Sequence, residues 1–143
     1  DGERTNKFVS SMSETQRNRL KSLVAGTSTT ARTAYRRTRN GKPTWEMRAD
    51  DIAGCLRTAR GGSSKQAVAV MGNGKLQVRW MTGLEYARLM GAGWFNLDGL
   101  RDSQIHYGFG DAVAVPAVSW LSRTALVPLA KPSPESLINE HVR

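Results

Sequence analysis

The sequence predicts an α+β fold, in which a small basic region rich in β-hairpins precedes a run of helices. Three observations lead there. Ser13 followed by Gln16, and Thr82 followed by Glu85, have the spacing of capping boxes, where a hydroxyl accepts from a first-turn N–H and the later side chain reaches back. Asn40-Gly41 and Gly72-Asn73-Gly74 supply the positive φ angles that tight hairpin turns require. After the second turn, Lys75-Leu76-Gln77-Val78-Arg79-Trp80 alternates polar and apolar residues with the period of a half-buried strand.

Taken in order, residues 1–12 are polar apart from Phe8-Val9 and read as a mobile lead-in. A short helix follows from Ser13, with Leu20, Leu23 and Val24 at helical spacing and Gly26 as its stop. Its outer face carries Arg17, Arg19 and Lys21, so it should lie on the surface of something else. Residues 27–33 form a Ser/Thr-rich connector. Tyr35 to Arg39 and Pro43 to Arg48 are the arms of a hairpin about Asn40-Gly41, with Arg37 and Arg39 on one face and Arg36 on the other. Such a ribbon, with an aromatic nearby, can track a phosphate backbone. It can equally be an edge that carries charge to resist aggregation.

Residues 51–65 combine small residues, Arg57, Arg60, Gly61-Gly62, Ser63-Ser64 and Lys65 in a loop whose backbone can approach a ligand closely. A nucleotide-hydrolase phosphate loop is excluded, because no Gly-Lys-Ser/Thr follows the glycines. Gln66 to Met71 and Lys75 to Trp80 form a second hairpin, with Leu76, Val78 and Trp80 facing a core and Arg79 pointing away from it. The stretch Arg79 to Leu129 then reads as two helices joined by a glycine-punctuated connector. The first runs from Thr82 to Gly91. In the second, Asp111 caps the N-terminus, Pro116 sits in the first turn, and Val118, Leu121, Ala125 and Leu126 form an apolar stripe ending at Pro128. Between them Gly93-Trp94-Phe95 is an apolar plug expected to be buried, with stacking on a base as the other use of its aromatics. Ser133-Pro134-Glu135 starts a last short helix in the tail.

A chain of 143 residues is one domain's worth. It opens Asp1-Gly2 without methionine, which suggests a piece of something larger or a processed chain. The net charge of +9 is uneven: residues 1–65 hold 14 Lys/Arg against 6 Asp/Glu, and residues 66–143 hold 7 against 6. A first half with that excess favours polyanions, since each phosphate neutralised releases counterions, although a basic protein can also simply have a solvated basic surface. The single cysteine, Cys55, excludes an internal disulfide and a cysteine metal cluster, and a reducing, cytoplasmic and nucleoid-associated setting fits. His106 and His141, without acidic ligands at metal spacing, are not a metal site. No uninterrupted apolar run approaches the length of a membrane span, so no membrane partner is expected.

Arg79 and then Met81-Thr82-Gly83-Leu84-Glu85-Tyr86-Ala87-Arg88-Leu89-Met90-Gly91 resembles the "R-x-L-T-x-x-E-x-x-R-L-x-G" block near the end of DNA cytosine-5 methyltransferases. Gly110-Asp111-Ala112-Val113, with Pro116 and an apolar helix after it, resembles the "G-N-A-V" block that closes that family's chain. The 51–65 loop resembles the family's "P-T-[LI]-T-T-x-x-G-G" stretch, with Ala53-Gly54-Cys55 where Ala-Pro-Thr is common. Two further departures are the missing proline at Trp94-Phe95 and Asp111 in place of asparagine. An amide donates and accepts, whereas a carboxylate only accepts and brings charge.

The resemblance implies the C-terminal part of a DNA (cytosine-5)-methyltransferase, whose helices would complete a Rossmann-like α/β catalytic domain. It divides the chain into a lead-in and short helix (1–26), a basic DNA-recognition region (27–78), closing helices (79–129) and a tail (130–143). Double-stranded DNA would be met by Arg36, Arg37, Arg39, Arg57, Arg60, Ser63, Ser64 and Lys65. S-adenosylmethionine would be met by Gly110, Asp111, Ala112 and Val113, and Arg79, Glu85 and Arg88 would bridge the two domains. Base methylation needs a thiolate that attacks the ring and an acid partner. The family's Pro-Cys and Glu-Asn-Val blocks are absent and Gly54 precedes Cys55, so no catalytic residue is expected here and the partner must be the N-terminal catalytic part or a separate subunit. A nucleic-acid-binding module without enzymatic activity is the alternative.

Overall fold

The computed structural model describes residues 2–58 and 65–130. It is α+β: a four-stranded antiparallel sheet of order β2-β1-β3-β4, two helices before it and a helical run after it. The strands are β1 (Thr30–Arg39), β2 (Lys42–Met47), β3 (Ala67–Gly72) and β4 (Lys75–Trp80). Both hairpins turn on the expected dipeptides: Asn40 and Gly41 have φ of 49° and 73°, Asn73 and Gly74 of 52° and 73°. These positive angles match the right-handed strand twist, which fixes Arg39 opposite Lys42 and Gly72 opposite Lys75. β1 begins four residues earlier than the 27–33 connector allowed. Thr30 to Ala34 pair with Met71 to Ala67, and the β-branched threonines suit that pleated surface once β3 supplies the partner.

The core lies on one face of the sheet, where Ala34, Met47, Ala67, Ala69, Met71 and Val78 meet two helices. α2 (Glu14–Ala25) has the expected bounds, with Ser13 accepting from Gln16 N and Gly26 closing the end. Gln16 does not complete the box. Its Oε1 accepts from Met47 N at 3.2 Å and so ties the helix to β2. The expected mobile lead-in is instead α1 (Gly2–Ser10). Phe8 and Met12 are almost fully buried beneath it, and one aromatic anchor holds a segment too short for an apolar period to show. Leu76 and Trp80 pack against this core as expected.

α3 (Gly83–Leu89) starts on a complete Thr82–Glu85 capping box. α4 (Asp102–Asp111), which the sequence pattern does not separate, packs against it through a second cluster. Ile105 lies against Gly83, and the buried His106 ring packs tilted against Tyr86, centres 4.4 Å apart, while its Nε2 donates to Met81 O at 3.0 Å. His106 is thus a satisfied interior residue. Asp111 ends α4 rather than capping the next helix, which starts at Ala114 with Pro116 in its first turn. That helix is α5 (Val115–Leu121), a π-turn (Ser122–Leu126) and α6 (Val127–Ala130). It passes Pro128, the expected end. The wider π-turn accommodates a proline that has no N–H and whose ring crowds the preceding turn.

One expectation about apolar residues is corrected. Trp94 and Phe95 are 77% and 51% exposed, because the turn that carries them has no element packed over it. The helical stretch Asp102–Ala130 is long and apolar enough to cross a membrane by length and composition, with mean hydropathy 1.4 over an 18-residue window. Counting uninterrupted apolar residues missed it, because Pro116, Ser119, Ser122, Arg123 and Thr124 are scattered through the window. Length and composition do not separate a helix that crosses a bilayer from one that docks on protein. The proposed start of a tail helix at Ser133 lies outside the described residues.

Candidate nucleic-acid interface

Alternation along β1 distributes the arginines as the period of a strand demands. Arg37 and Arg39 share the face away from the core and converge on Glu46 of β2: Arg39 Nη2 is 2.7 Å and Arg37 Nε 3.6 Å from its carboxylate. One carboxylate thus gathers two guanidinium groups that remain more than half exposed, so their charge still faces solvent. The bond also holds the forks in place, which limits the entropy lost when they meet a phosphate.

Beside them a cavity of about 490 Å³ opens between the hairpin and residues 55–57, lined by Tyr35 to Arg39 of β1, Arg36 included, with Cys55, Arg57 and Gln66. Arg37 also lies 5.1 Å from the Tyr35 ring centre, within cation–π range. Gln66 closes the floor. Its Nε2 donates to Cys55 O at 3.3 Å and its backbone N–H donates to the Tyr86 hydroxyl at 3.2 Å, while its Oε1 is buried with no hydrogen bond among the described residues. Burial raises the Tyr86 hydroxyl above its ordinary pKa, which keeps it neutral there. Cys55 is exposed, so it is a surface thiol and not a core residue.

The predicted DNA contacts therefore fall into two groups. Arg37, Arg39 and Arg57 meet at the cavity. Arg36 lies on the core face, its guanidinium 5.8 Å from the Trp45 ring and 5.6 Å from the Trp80 ring, and Lys65 Nζ is 5.4 Å from Trp80. Arg60, Ser63 and Ser64 lie outside the described residues. Sequence reasoning missed the basic side of α1, where Arg4 and Lys7 border Phe8. The signal was present as the helical spacing of residues 4, 7, 8 and 11, hidden once the segment was read as structureless.

Where the sheet hands over to helices, Arg79 places its fork on Glu85 with contacts of 2.7 and 2.8 Å. Glu85 also accepts from Thr82 N at 2.8 Å. The Arg79 hydrogen bond, helped by the Thr82 amide, holds the Glu85 carboxyl down to about 2 and raises Arg79 further. Arg88, the third bridging candidate, is exposed on α3 and its side chain lies against Gly93.

The cofactor candidates divide in the same manner. Gly110 lies so close to the Arg57–Thr58 backbone that a Cβ has no room, and Asp111 accepts a hydrogen bond from the Thr58 hydroxyl. Ala112 and Val113 are exposed in the turn before α5. The "G-D-A-V" segment is thus joined to the end of the arginine loop. Among the described residues no group of His, Cys, Asp and Glu could hold a metal ion. Comparison with family models, with characterised proteins and with solved structures finds no match for this chain.

Proposed function

We propose that the chain is the DNA-reading and closing segment of a DNA (cytosine-5)-methyltransferase. A catalytic part, on the same polypeptide or a separate subunit, would supply the cysteine and complete the S-adenosylmethionine pocket within a Rossmann-like domain. The observation that carries this reading is the Arg79–Glu85 fork, set in a complete capping box where the basic sheet gives way to helices. These are the residues to which the sequence resemblance gives a bridging role. In support, α5 and the π-turn expose Val118, Trp120, Leu121 and Leu126, the surface a closing helix needs before its partner arrives. Arg37, Arg39 and Arg57 offer exposed forks for a phosphate backbone.

A second reading, a nucleic-acid-binding module without an enzyme's role, is favoured by Asp111. Its carboxylate is engaged by Thr58, and it lacks the amide donor that an asparagine would offer a cofactor.

The two readings separate when the chain is mixed with a catalytic part bearing a Pro-Cys block, and methyl transfer from S-adenosylmethionine to duplex DNA is measured. Transfer to cytosine is the expected result. Salt-dependent DNA binding without transfer favours the module, and no DNA binding overturns both. Replacing Arg37, Arg39 and Arg57 with alanine should lower the slope of log affinity against log salt by about 2 to 3, at roughly 0.9 for each phosphate that is no longer neutralised.

A further inference from the structure

We propose that a second site, on the opposite face of the sheet from Arg37 and Arg39, takes an unpaired nucleobase with its phosphate, and so binds single-stranded nucleic acid. The site is a cavity of about 350 Å³ between α1 and the sheet, within the roughly 300–1,000 Å³ typical of small-molecule pockets. Its floor is aromatic. Phe8 meets Trp45 with ring centres 5.2 Å apart, and Trp45 meets Trp80 at 5.4 Å. Both tryptophans are only partly buried, so ring surface remains open to a ligand.

The rim is cationic. Arg4 and Lys7 stand exposed on α1, Arg36 extends over both tryptophans, and among the described residues no carboxylate lines the cavity. A free phosphate would leave the aromatic floor unused, and a purely apolar ligand would leave the exposed Arg4 and Lys7 at the rim without an anion to meet. A base with its phosphate satisfies both, since every base has a π-face that stacks on an aromatic side chain and a phosphate one bond-chain away. The base would stack on the ring surface left open beside the Arg36 guanidinium, with its phosphate toward Arg4 and Lys7. A base paired within a duplex cannot enter a pocket of this shape, so the site distinguishes strands by their pairing.

The proposal shares the nucleic-acid class of the reading above but uses a different face, so the two can fail separately. The full chain would be titrated with a labelled 12-nucleotide oligo-dT, and with the same strand annealed to oligo-dA, while tryptophan fluorescence is followed. Oligo-dT should quench the fluorescence. Arg4→Ala/Lys7→Ala, on the exposed side of α1, should weaken oligo-dT binding, lower its slope of log affinity against log salt by about 1.4, at roughly 0.7 for each phosphate no longer neutralised, and leave duplex affinity unchanged. Trp45→Leu should weaken oligo-dT binding roughly tenfold, the scale of one stacked base, where circular dichroism shows the fold intact, whereas Trp45→Phe should keep most of the affinity. Arg37→Ala/Arg39→Ala should show the reverse preference. Equal losses for single strand and duplex in the Arg4/Lys7 variant would overturn the second site. So would an acidic, tyrosine-containing peptide that displaces oligo-dT at equal concentration. Duplex binding without any single-strand binding would overturn it too, and leave the methyltransferase reading standing.

Discussion

On the inner face of the sheet Met47, Met71 and Val78 meet Phe8 and Leu20 of the two helices, and all five are buried. From Val113 to Ala130 the chain is as apolar, yet no residue of α5, the π-turn or α6 is buried. The two regions differ in what covers them, not in what they are made of. The first region closes its own surface because two amphipathic helices lie over a sheet whose alternate residues face them. The second is one helical rod, attached at its start by Val115 N donating to Met90 O at 2.9 Å and by Pro116 packed on Gly91. A rod of this kind acquires its stability from a surface that a second body provides.

The largest effect that tests this contrast comes from the same truncation made in each region. Phe8→Ala removes an almost fully buried ring that also supports Trp45, and should cost about 3 to 5 kcal/mol in a denaturant titration. Leu126→Ala removes a side chain that is half exposed and should change stability by no more than about 0.5 kcal/mol. A loss of several kcal/mol from Leu126→Ala in the isolated chain would mean that the rod is covered by its own protein, and the contrast would collapse. In the presence of a catalytic part the same substitution should weaken association instead.

A smaller effect is expected at the attachment between the regions. Gly91 has φ of 73° and faces the Pro116 ring with no space for a Cβ. Gly91→Ala combines left-handed strain with that clash and should cost about 1 to 3 kcal/mol, felt as a loosening of α5 from the end of α3. Limited proteolysis should therefore cut between residues 91 and 115 faster in this variant, while the sheet keeps its protection. Equal proteolysis of both regions would show that they unfold as one unit.

The same contrast explains what was legible in the sequence. Turns and caps are local, so Asn40-Gly41, Asn73-Gly74, Ser13 and Thr82 marked their elements correctly. Strand period placed Arg36 apart from Arg37 and Arg39, and Val78 and Trp80 toward the core. What was hidden depended on distant partners. α1 rests on a single buried ring, the start of β1 on pairing with β3, and Gln16 on an amide in β2. The exposure of Trp94 and Phe95 was misjudged because hydrophobicity states a preference for burial and not whether a neighbour exists to provide it. The candidate site was half legible: the charge of β1 was evident, but only the fold reveals that Arg36 joins Arg4 and Lys7 around aromatic rings on the other side.

The smallest effect concerns the joint at Arg79 and Glu85, and its sign follows from the depressed carboxyl. Glu85 titrates near 2 in the folded chain against an ordinary 4.5. Its contribution is therefore complete above about pH 4.5 and is lost as pH falls from there toward 2. The Arg79 side chain is 45% exposed and Glu85 30%, so solvent screening leaves the pair about 1 kcal/mol. Glu85→Gln retains an oxygen for the Thr82 amide but has no charge for Arg79. It should be less stable than the parent by about 1 kcal/mol at pH 7, and the gap should narrow to a few tenths near pH 2.5. Chemical denaturation at the two pH values measures it. A gap that stays constant would mean that Glu85 acts only through its hydrogen bonds to the cap, and that the ionic fork contributes nothing to holding α3 against the sheet. The same variant, mixed with a catalytic part, asks whether the fork that joins the two regions within this chain also sets the angle at which the rod is presented to its partner.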